Sequence, residues 1–391
     1  KNRIIIYLDR NMKFSVLLPT RNGANYLQTC IESVLNQQFE DMELIVFDNA
    51  NTDNTAEIVK SFTSDNRLKY YKTDDVVSVT ENWNNALRAS SGEYVLMIGD
   101  DDYLLPGYFD QISSIIEKYN NPDAVSYCGF LFIFPDALDN KSVSYYSDPH
   151  FKYKGKLKGE NYIVGDQLKT IVYDMFKFHN RIPLNTIAHI WSRKLIERVE
   201  GDLFRPPYPD HFALNSLLLK ADNWFFSKEN TYILGVTPKS YGPSVFSDDH
   251  QKDGDDYLGI STAEFSNYLP GSPFINNMYL WLQLLKESHP SHLQDICISR
   301  THYVRHQVYN WISQYRHGSI GFARLWELFK LLTLKDKIGL ISFLWDKRSL
   351  NRIYSMLRKW RALKVDTFYH GSKPLIGISS PEELYHSVIK K

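Results

Sequence analysis

Three consecutive aspartates, Asp100, Asp101 and Asp102, are the side chains of this 391-residue chain whose type and spacing point most directly to chemistry. They closely follow an apolar run at residues 94–98. Neighbouring carboxylates repel one another and are costly to desolvate unless a positive charge neutralises them. Mg²⁺ and Mn²⁺ favour such hard oxygen ligands and complete their coordination with water and substrate phosphates. The triplet therefore predicts a divalent-metal site, and a solvated acidic turn with helix-capping aspartates is the alternative.

Two more polar loops follow apolar runs earlier in the chain. Residues 14–18 lead into a Pro-Thr-Arg-Asn sequence at residues 19–22, and residues 43–47 lead into a loop that begins at Asp48. Ligands of open parallel sheets bind outside the carboxyl ends of the strands. If these runs are parallel strands, the two loops and the aspartate triplet face one crevice.

The alternation of apolar segments predicts the elements that position these loops. Further strand-like runs lie at residues 68–71, 124–134, 185–191 and 231–236, and helix-like stretches lie at residues 24–37, 167–178 and 210–220. This order predicts an α/β fold with a mostly parallel sheet and helices on both of its faces. Residues 135–166 are expected to form a long loop, and after about residue 270 only helices are expected, including 275–285 and 293–315.

Composition and motifs exclude several functions. The 45 Lys and Arg residues balance 45 Asp and Glu residues, which argues against a globally basic nucleic-acid-binding protein. The three cysteines are far apart and lack metal-site spacing, so neither a disulfide framework nor a zinc finger is expected. No GxGxxG or GxxxxGK[ST] sequence is present, which removes the main support for dinucleotide or P-loop binding.

The three loops together resemble the family 2 inverting glycosyltransferases of the GT-A fold, a Rossmann-like fold of nucleotide-diphospho-sugar transferases. The matching sequences are FSVLLPTRN from residue 14, ELIVFDNANTD from residue 43 and SGEYVLMIGDDD from residue 91. Weaker similarity extends to about Gly242. We therefore expect a catalytic domain at residues 12–265 and a C-terminal helical region at residues 266–391.

The resemblance implies roles for individual residues. Thr20 and Asp48 match positions that hold the base and ribose of the nucleotide. Asp100 and Asp102 match the metal-binding DxD motif, with Asp102 as the direct ligand and Asp100 nearer the ribose or donor sugar. Many relatives have a further aspartate where this chain has Gly99, so the register within the triplet departs from the family pattern. The remaining residues expected to bind the donor are Pro19, Arg21, Asn22, Asn82, Arg88 and Asp101.

The general base of this family is an aspartate at the start of a helix in the second half of the domain. Asp210 is the best match, although Pro209 precedes it where relatives often have glutamate. A helix-capping role is the alternative for Asp210. The polar loop at residues 238–250 matches a flexible loop of some relatives, which makes His250 a weak candidate for a metal or diphosphate contact.

The implied function is metal-dependent, inverting transfer of a sugar from a nucleotide donor. A UDP-sugar is expected as the donor, and the acceptor is expected to be a hydroxyl of a glycan or glycolipid in cell-surface polysaccharide synthesis. A catalytically degenerate scaffold that binds glycans is one alternative. A sugar nucleotidyltransferase is another, although such enzymes usually carry a Gly-rich basic loop after the first strand, which this chain lacks.

The C-terminal region contains a concentrated positive charge. Residues 321–364 include eleven Lys or Arg residues against three acidic ones, and apolar residues recur at helical spacing from Leu350 to Trp360. This pattern is typical of a basic amphipathic helix, which predicts either an anionic membrane surface as a partner or a solvated face of a helical subdomain. An oligomer interface or an acceptor-binding subdomain are further options. The absence of a signal-peptide pattern predicts a cytoplasmic location, with peripheral attachment to the inner membrane face as an option.

Overall fold

The computed structural model describes residues 13–135, 137, 143–148, 161–238, 240, 268–316, 318–343 and 372–390. Its first part alternates strands and helices as expected. The elements are β1 (Phe14–Thr20), α1 (Ala24–Leu35), β2 (Met42–Asp48), α2 (Thr55–Ser61), β3 (Leu68–Lys72), α3 (Val79–Arg88) and β4 (Tyr94–Met97). Strands β3, β2, β1 and β4 lie side by side in that order, and all their pairings are parallel.

The second part of the chain widens this sheet. It contains β5 (Tyr103–Leu104), α4 (Tyr108–Lys118), β6 (Ala124–Ile133), β7 (Ser144–Ser147), β8 (Asn161–Val164), α5 (Asp166–Met175), β9 (His189–Ser192), α6 (Arg193–Ile196), α7 (Pro209–Lys220) and β10 (Asn223–Val236). Strand β9 is antiparallel to both β4 and β6 and joins them, while β10 runs parallel to β6. The expected α/β fold with a central sheet flanked by helices is confirmed; the first four strands pair in parallel, and most pairings in the second part are antiparallel.

Helices dominate the C-terminal part. They are α8 (Pro273–Ser288), α9 (Pro290–Leu293), α10 (Arg300–Arg316), α11 (Phe322–Lys330), α12 (Leu334–Ser342) and α13 (Pro381–Leu384), which continues as a π-helical turn (Tyr385–Ile389). In the part of the chain that the structure describes, none of the helices could span a lipid bilayer.

Three expectations about secondary structure were wrong. The loop expected at residues 135–166 contains the short strands β7 and β8. The helix expected at 293–315 is interrupted between α9 and α10. A strand, β11 (Lys373–Leu375), lies in the region expected to be helical and pairs antiparallel with β7. These strands are only three or four residues long, so their conformation depends on pairing rather than on apolar periodicity.

The core occupies both faces of the sheet. Alternate residues of β1 point to opposite faces, so Val16 packs with Leu27 of α1, whereas Leu17 belongs to the cluster on the other face. That second cluster continues into the C-terminal helices and includes the fully buried Trp281 and Trp311. The helical region therefore shares a core with the sheet. The domain boundary expected at residues 265 and 266 lies outside the described residues, and the division remains a prediction.

Candidate functional site

The three polar loops meet at the carboxyl ends of the parallel strands. Thr20 and Asp48 are register partners at the ends of β1 and β2. The hydroxyl of Thr20 donates a hydrogen bond to Asp100 Oδ2 at 2.6 Å, which joins the end of β1 to the aspartate loop after β4. The convergence expected from the order of the strands is therefore present in the structure.

The Asp48 carboxylate is buried and has two donors. The backbone amide of Asn51 donates to Oδ1, and the hydroxyl of Tyr70 donates to Oδ2, both at 2.6 Å. Burial and the Asp48 carboxylate raise the pKa of Tyr70 far above its usual value, so the phenol stays protonated as a donor. Tyr70 has a defined role here that the sequence did not suggest.

Arg21 and Asn22 connect the first loop to the second. Arg21 Nη1 donates to the carbonyl oxygens of Asn49 at 3.0 Å and Ala50 at 2.7 Å. Asn22 has a left-handed backbone, with φ of 54°, and its side-chain oxygen accepts from the amide of Thr52 at 2.9 Å. These contacts shape the loops, and a donor contact by Arg21, Asn22 or Pro19 stays a prediction.

Asp102 is the most buried of the three aspartates, with 5% of its surface exposed. Its Oδ2 accepts from the amide of Gly99 at 2.7 Å, and its Oδ1 accepts from the amide of Gly235 at 3.0 Å. Burial raises the pKa of Asp102 to about 7; the two amides lower it, and the charge of Asp100 adds a smaller increase. The carboxylate is thus oriented by backbone amides, but its negative charge is only partly offset.

Asp101 and Asp100 are partly exposed. Asp101 Oδ2 accepts from Ser240 Oγ at 3.1 Å, so the start of the loop after β10 touches the triplet. Burial and the neighbouring carboxylates Asp102 and Asp100 raise the pKa of Asp101 well above its ordinary value. The described residues contain no ready-made cluster of three or more His, Cys, Asp or Glu side chains around a metal position. The carboxylate oxygens of the triplet nevertheless fit Mg²⁺ or Mn²⁺, which need only one or two protein carboxylates when substrate phosphates complete the shell.

Two glycines make room for the aspartate loop. A Cβ on Gly23 would lie 1.9 Å from Asp100 Oδ2, and a Cβ on Gly235 would lie 2.0 Å from the carbonyl oxygen of Asp101. Sequence reasoning did not identify either glycine, because the close approach joins segments that are distant in sequence. A side chain at Gly235 would displace the loop backbone itself.

Helix α3 forms another wall next to these loops. The side-chain amide of Asn82 donates to the carbonyl of Phe47 at 3.4 Å, whereas its buried Oδ1 has no hydrogen-bond partner within the described residues. The buried Nδ2 of Asn51 likewise lacks a partner in the described part. Buried polar atoms are normally satisfied, so both atoms are available to a polar ligand. Arg88 at the end of α3 instead pairs with Glu81 and Asp202, and its expected donor contact stays a prediction.

Asp210 lies in the first turn of α7, after Pro209 at the helix start. It is half-buried, and its Oδ1 accepts from the amide of His211 at 2.9 Å. The N-cap position belongs to Tyr208, so Asp210 is not the N-cap residue. The segment before α7 is fixed to α3, because Asn84 and Phe204 exchange two hydrogen bonds. His250 lies outside the described residues.

The fold and the strand-end aspartate loop define an α/β protein of the GT-A glycosyltransferase fold. Staphylococcus aureus TarS 1-349, solved in complex with UDP-GlcNAc, is similar with a TM-score of 0.53 and 16% sequence identity, over 95% of this chain and 98% of that chain. At this identity the similarity concerns the fold alone.

Sequence comparison finds similarity to glycosyltransferases in the first half of the chain. Residues 15–178, which make up less than half of the chain, match the model of Glycosyl transferase family 2. It is 34% identical over 131 residues to the GalNAc(5)-diNAcBac-PP-undecaprenol beta-1,3-glucosyltransferase of Campylobacter jejuni, covering 33% of this chain and 39% of the relative. It is 30% identical over 114 residues to glycosyltransferase GlyA of Streptococcus pneumoniae, covering 29% of this chain and 16% of GlyA. The chain thus spans less than half the length of these relatives.

Proposed function

We propose that this protein transfers a sugar from a nucleotide-sugar donor to a hydroxyl group of a glycan or glycolipid, with inversion at the anomeric carbon. The observation that carries the proposal is the hydrogen bond of 2.6 Å between Thr20 and Asp100, which joins two family 2 sequence motifs in one crevice. The family match over residues 15–178 supports the same reaction class.

The nucleotide would bind between the first two loops and α3. Asp48 is available to accept from a base N–H, and the unpartnered Asn82 Oδ1 and Asn51 Nδ2 supply one acceptor and one donor. We favour a UDP-sugar, and this choice rests on the family resemblance and on the UDP-GlcNAc bound by TarS. Thr20 would also contact the base or ribose of the nucleotide. Its hydroxyl donates a hydrogen bond to Asp100, which we place next to the ribose or donor sugar.

Asp102 and Asp100 would hold Mg²⁺ or Mn²⁺, with Asp101 beside them. The cation supplies Lewis-acid stabilisation of the negative charge that develops on the departing diphosphate. The chain's own contribution is the fixed orientation of Asp102 by the amides of Gly99 and Gly235. Ser240 lies in the loop after β10 and donates a hydrogen bond to Asp101. We propose that this loop closes over the donor and excludes water. His250 remains a weak candidate from that loop.

Asp210 would act as the general base. Its carboxylate accepts the proton of the acceptor hydroxyl while the acceptor oxygen forms a bond to the anomeric carbon. The bond from that carbon to the diphosphate oxygen breaks on the opposite side, so the configuration inverts. The half-buried position of Asp210 in the first helical turn leaves the carboxylate reachable by an acceptor.

A lipid-linked glycan is the acceptor class that we favour, because the name of the Campylobacter relative specifies an oligosaccharide on undecaprenyl diphosphate. This choice fits a cytoplasmic protein that attaches peripherally to the membrane. We also propose that the protein takes part in cell-surface polysaccharide synthesis and that it forms oligomers.

Calorimetric titration with UDP, GDP, dTDP and CMP, each with manganese and with chelator, tests the donor site. We expect one nucleotide, UDP, to bind tightly only with the metal present. Metal-independent binding would remove the metal assignment. If none of the four nucleotides binds, the degenerate glycan-binding scaffold is favoured. If the protein instead releases diphosphate when given a nucleoside triphosphate and a sugar phosphate, a nucleotidyltransferase is favoured.

A further inference from the structure

The outer sides of α11 and α12 carry a concentration of exposed apolar side chains. Of the twelve large apolar side chains exposed in the described part of the chain, six lie within residues 322–341. Each is between 52% and 75% exposed, and the six are Phe322, Trp326, Leu331, Leu334, Ile338 and Ile341. We call these six residues the apolar face. Such a concentration on two consecutive helices indicates a docking site rather than scattered surface hydrophobicity.

The spacing of the apolar face follows the helical repeat. Phe322 and Trp326 are four residues apart on α11, and Leu334, Ile338 and Ile341 recur at intervals of four and three on α12. Residues at these intervals lie on one side of a helix. Helix α11 is therefore apolar on two sides, because Leu325 and Leu328 point the other way into the core.

Buried contacts hold both helices in place. Phe329 packs edge-on against the buried Trp311 of α10, with ring centroids 5.9 Å apart. Arg300 of α10 forms two hydrogen bonds with Asp336 of α12, at 2.9 and 3.0 Å, and Asp336 also completes a capping box with Thr333. The apolar face is thus presented by anchored helices and not by a loose segment.

The charges around the apolar face are mainly basic. Lys330, Lys335 and Lys337 are exposed, and none of them forms an ion pair with another residue of the described ranges. The acidic residues are already neutralised, because Asp336 pairs with Arg300 and Glu327 pairs with Arg324. An apolar partner with a negative rim complements this surface.

We propose that the apolar face docks on an anionic lipid bilayer, with Trp326 and its neighbours inserted at the level of the headgroups. Aromatic and aliphatic side chains flanked by lysines are the usual features of helices that lie in the membrane interface. Each lysine near an anionic surface adds further attraction. The apolar face lies within residues 321–364, the segment for which an anionic membrane partner was expected, whereas the basic helix expected at 350–360 lies outside the described residues.

Flotation of the full chain with vesicles tests this inference without donor or acceptor, so its result is independent of the proposed transferase activity. We expect binding to phosphatidylcholine vesicles that contain phosphatidylglycerol and weaker binding to phosphatidylcholine alone. The double substitution Phe322→Ser and Ile338→Ser should lower the partition coefficient at least roughly tenfold. Lys335→Gln with Lys337→Gln should weaken binding to the anionic vesicles only.

Ile376→Ser is the matched control, because Ile376 is the most exposed of the twelve apolar side chains and lies outside the apolar face. It should leave vesicle binding unchanged. Absence of flotation by the unsubstituted chain would overturn the inference, as would flotation that the double substitution does not reduce. If light scattering shows a dimer that the double substitution dissociates, while vesicles do not bind, the apolar face contacts a second copy of the chain instead.

Discussion

The backbone amide of Gly235 donates a hydrogen bond to Asp102 Oδ1 at 3.0 Å and thereby ties strand β10 to the aspartate loop. The two residues are 133 positions apart in the chain. Because Gly235 has no side chain, the carbonyl of Asp101 can approach it closely. The conformation of the proposed metal loop is thus set by a strand from the second half of the sheet.

Gly235→Ala should move the aspartate loop. The added Cβ would lie 2.0 Å from the Asp101 carbonyl oxygen, so backbone must shift, at a cost of about 1–3 kcal/mol in unfolding free energy. We expect manganese-dependent UDP affinity to fall at least roughly tenfold, measured by calorimetry. Gly321→Ala is the control, because an added Cβ there meets nothing within 4 Å. Unchanged affinity in Gly235→Ala would show that the loop position does not control binding.

Thr20→Val should weaken donor binding by removing the hydroxyl that holds Asp100. The substitution keeps the side-chain volume and deletes only the donor of the 2.6 Å hydrogen bond. Loss of a hydrogen bond to a charged group corresponds to about 1.5–3 kcal/mol, or roughly a tenfold to hundredfold loss of affinity. Thr20→Ser should restore most of the affinity in the same titration. A valine variant with normal affinity would argue against this role.

The metal-free protein should lose stability as the pH rises from about 4 to about 7. Burial raises the Asp102 pKa from 3.8 to about 7, so the folded state binds a proton in this range that the unfolded state has released. The loss should be on the order of a few kcal/mol and should be complete above the folded-state pKa. Manganese should therefore raise the melting temperature more at pH 8 than at pH 6.

Asp102→Asn provides the comparison for this pH dependence. The variant cannot ionise at position 102, so the decline of its melting temperature between pH 4 and pH 7 should be shallower. Manganese should no longer raise its melting temperature, and metal-dependent UDP binding should be lost. A pH profile identical to that of the unsubstituted protein would mean that another group causes the decline.

Asp210→Asn should lower the rate of sugar transfer by several orders of magnitude while leaving nucleotide affinity unchanged. The amide cannot accept the proton of the acceptor hydroxyl, but it preserves the size of the side chain. Asp166→Asn is a matched control, because Asp166 also lies in the first turn of a helix, with a side chain that is 92% exposed. A nearly normal rate in Asp210→Asn would place the base elsewhere.

The part of the fold that carries the site could be predicted from sequence. The apolar runs of β1, β2 and β4 are buried on both faces, as expected for parallel strands, and a polar loop follows each run. The order of strands and loops along the chain therefore predicts that Thr20, Asp48 and Asp100 converge at one edge of the sheet. The roles of Gly23, Gly235 and Tyr70 could not be predicted in this way. Each depends on a contact between segments that only the folded chain brings together.

The apolar face was missed for a different reason. Helical spacing of Phe322 and Trp326 predicts a common side of a helix, but periodicity does not distinguish a side that packs on the core from one that faces solvent. Leu325 and Leu328 show which side of the helix faces the core, because both are buried on the side opposite Phe322 and Trp326. Sequence reasoning therefore emphasised the positive charge of the region and overlooked its exposed apolar surface.

Strand β11 has a consequence for the order in which the chain folds. It covers part of the free side of β7, and Ser144 donates to the carbonyl of Ile378, 234 residues further along the chain. Until the ribosome has released residues 373–378, that edge exposes unpaired backbone groups that invite pairing with another chain. The nascent chain therefore holds an aggregation-prone edge from the synthesis of β7 until β11 has been made and covers it.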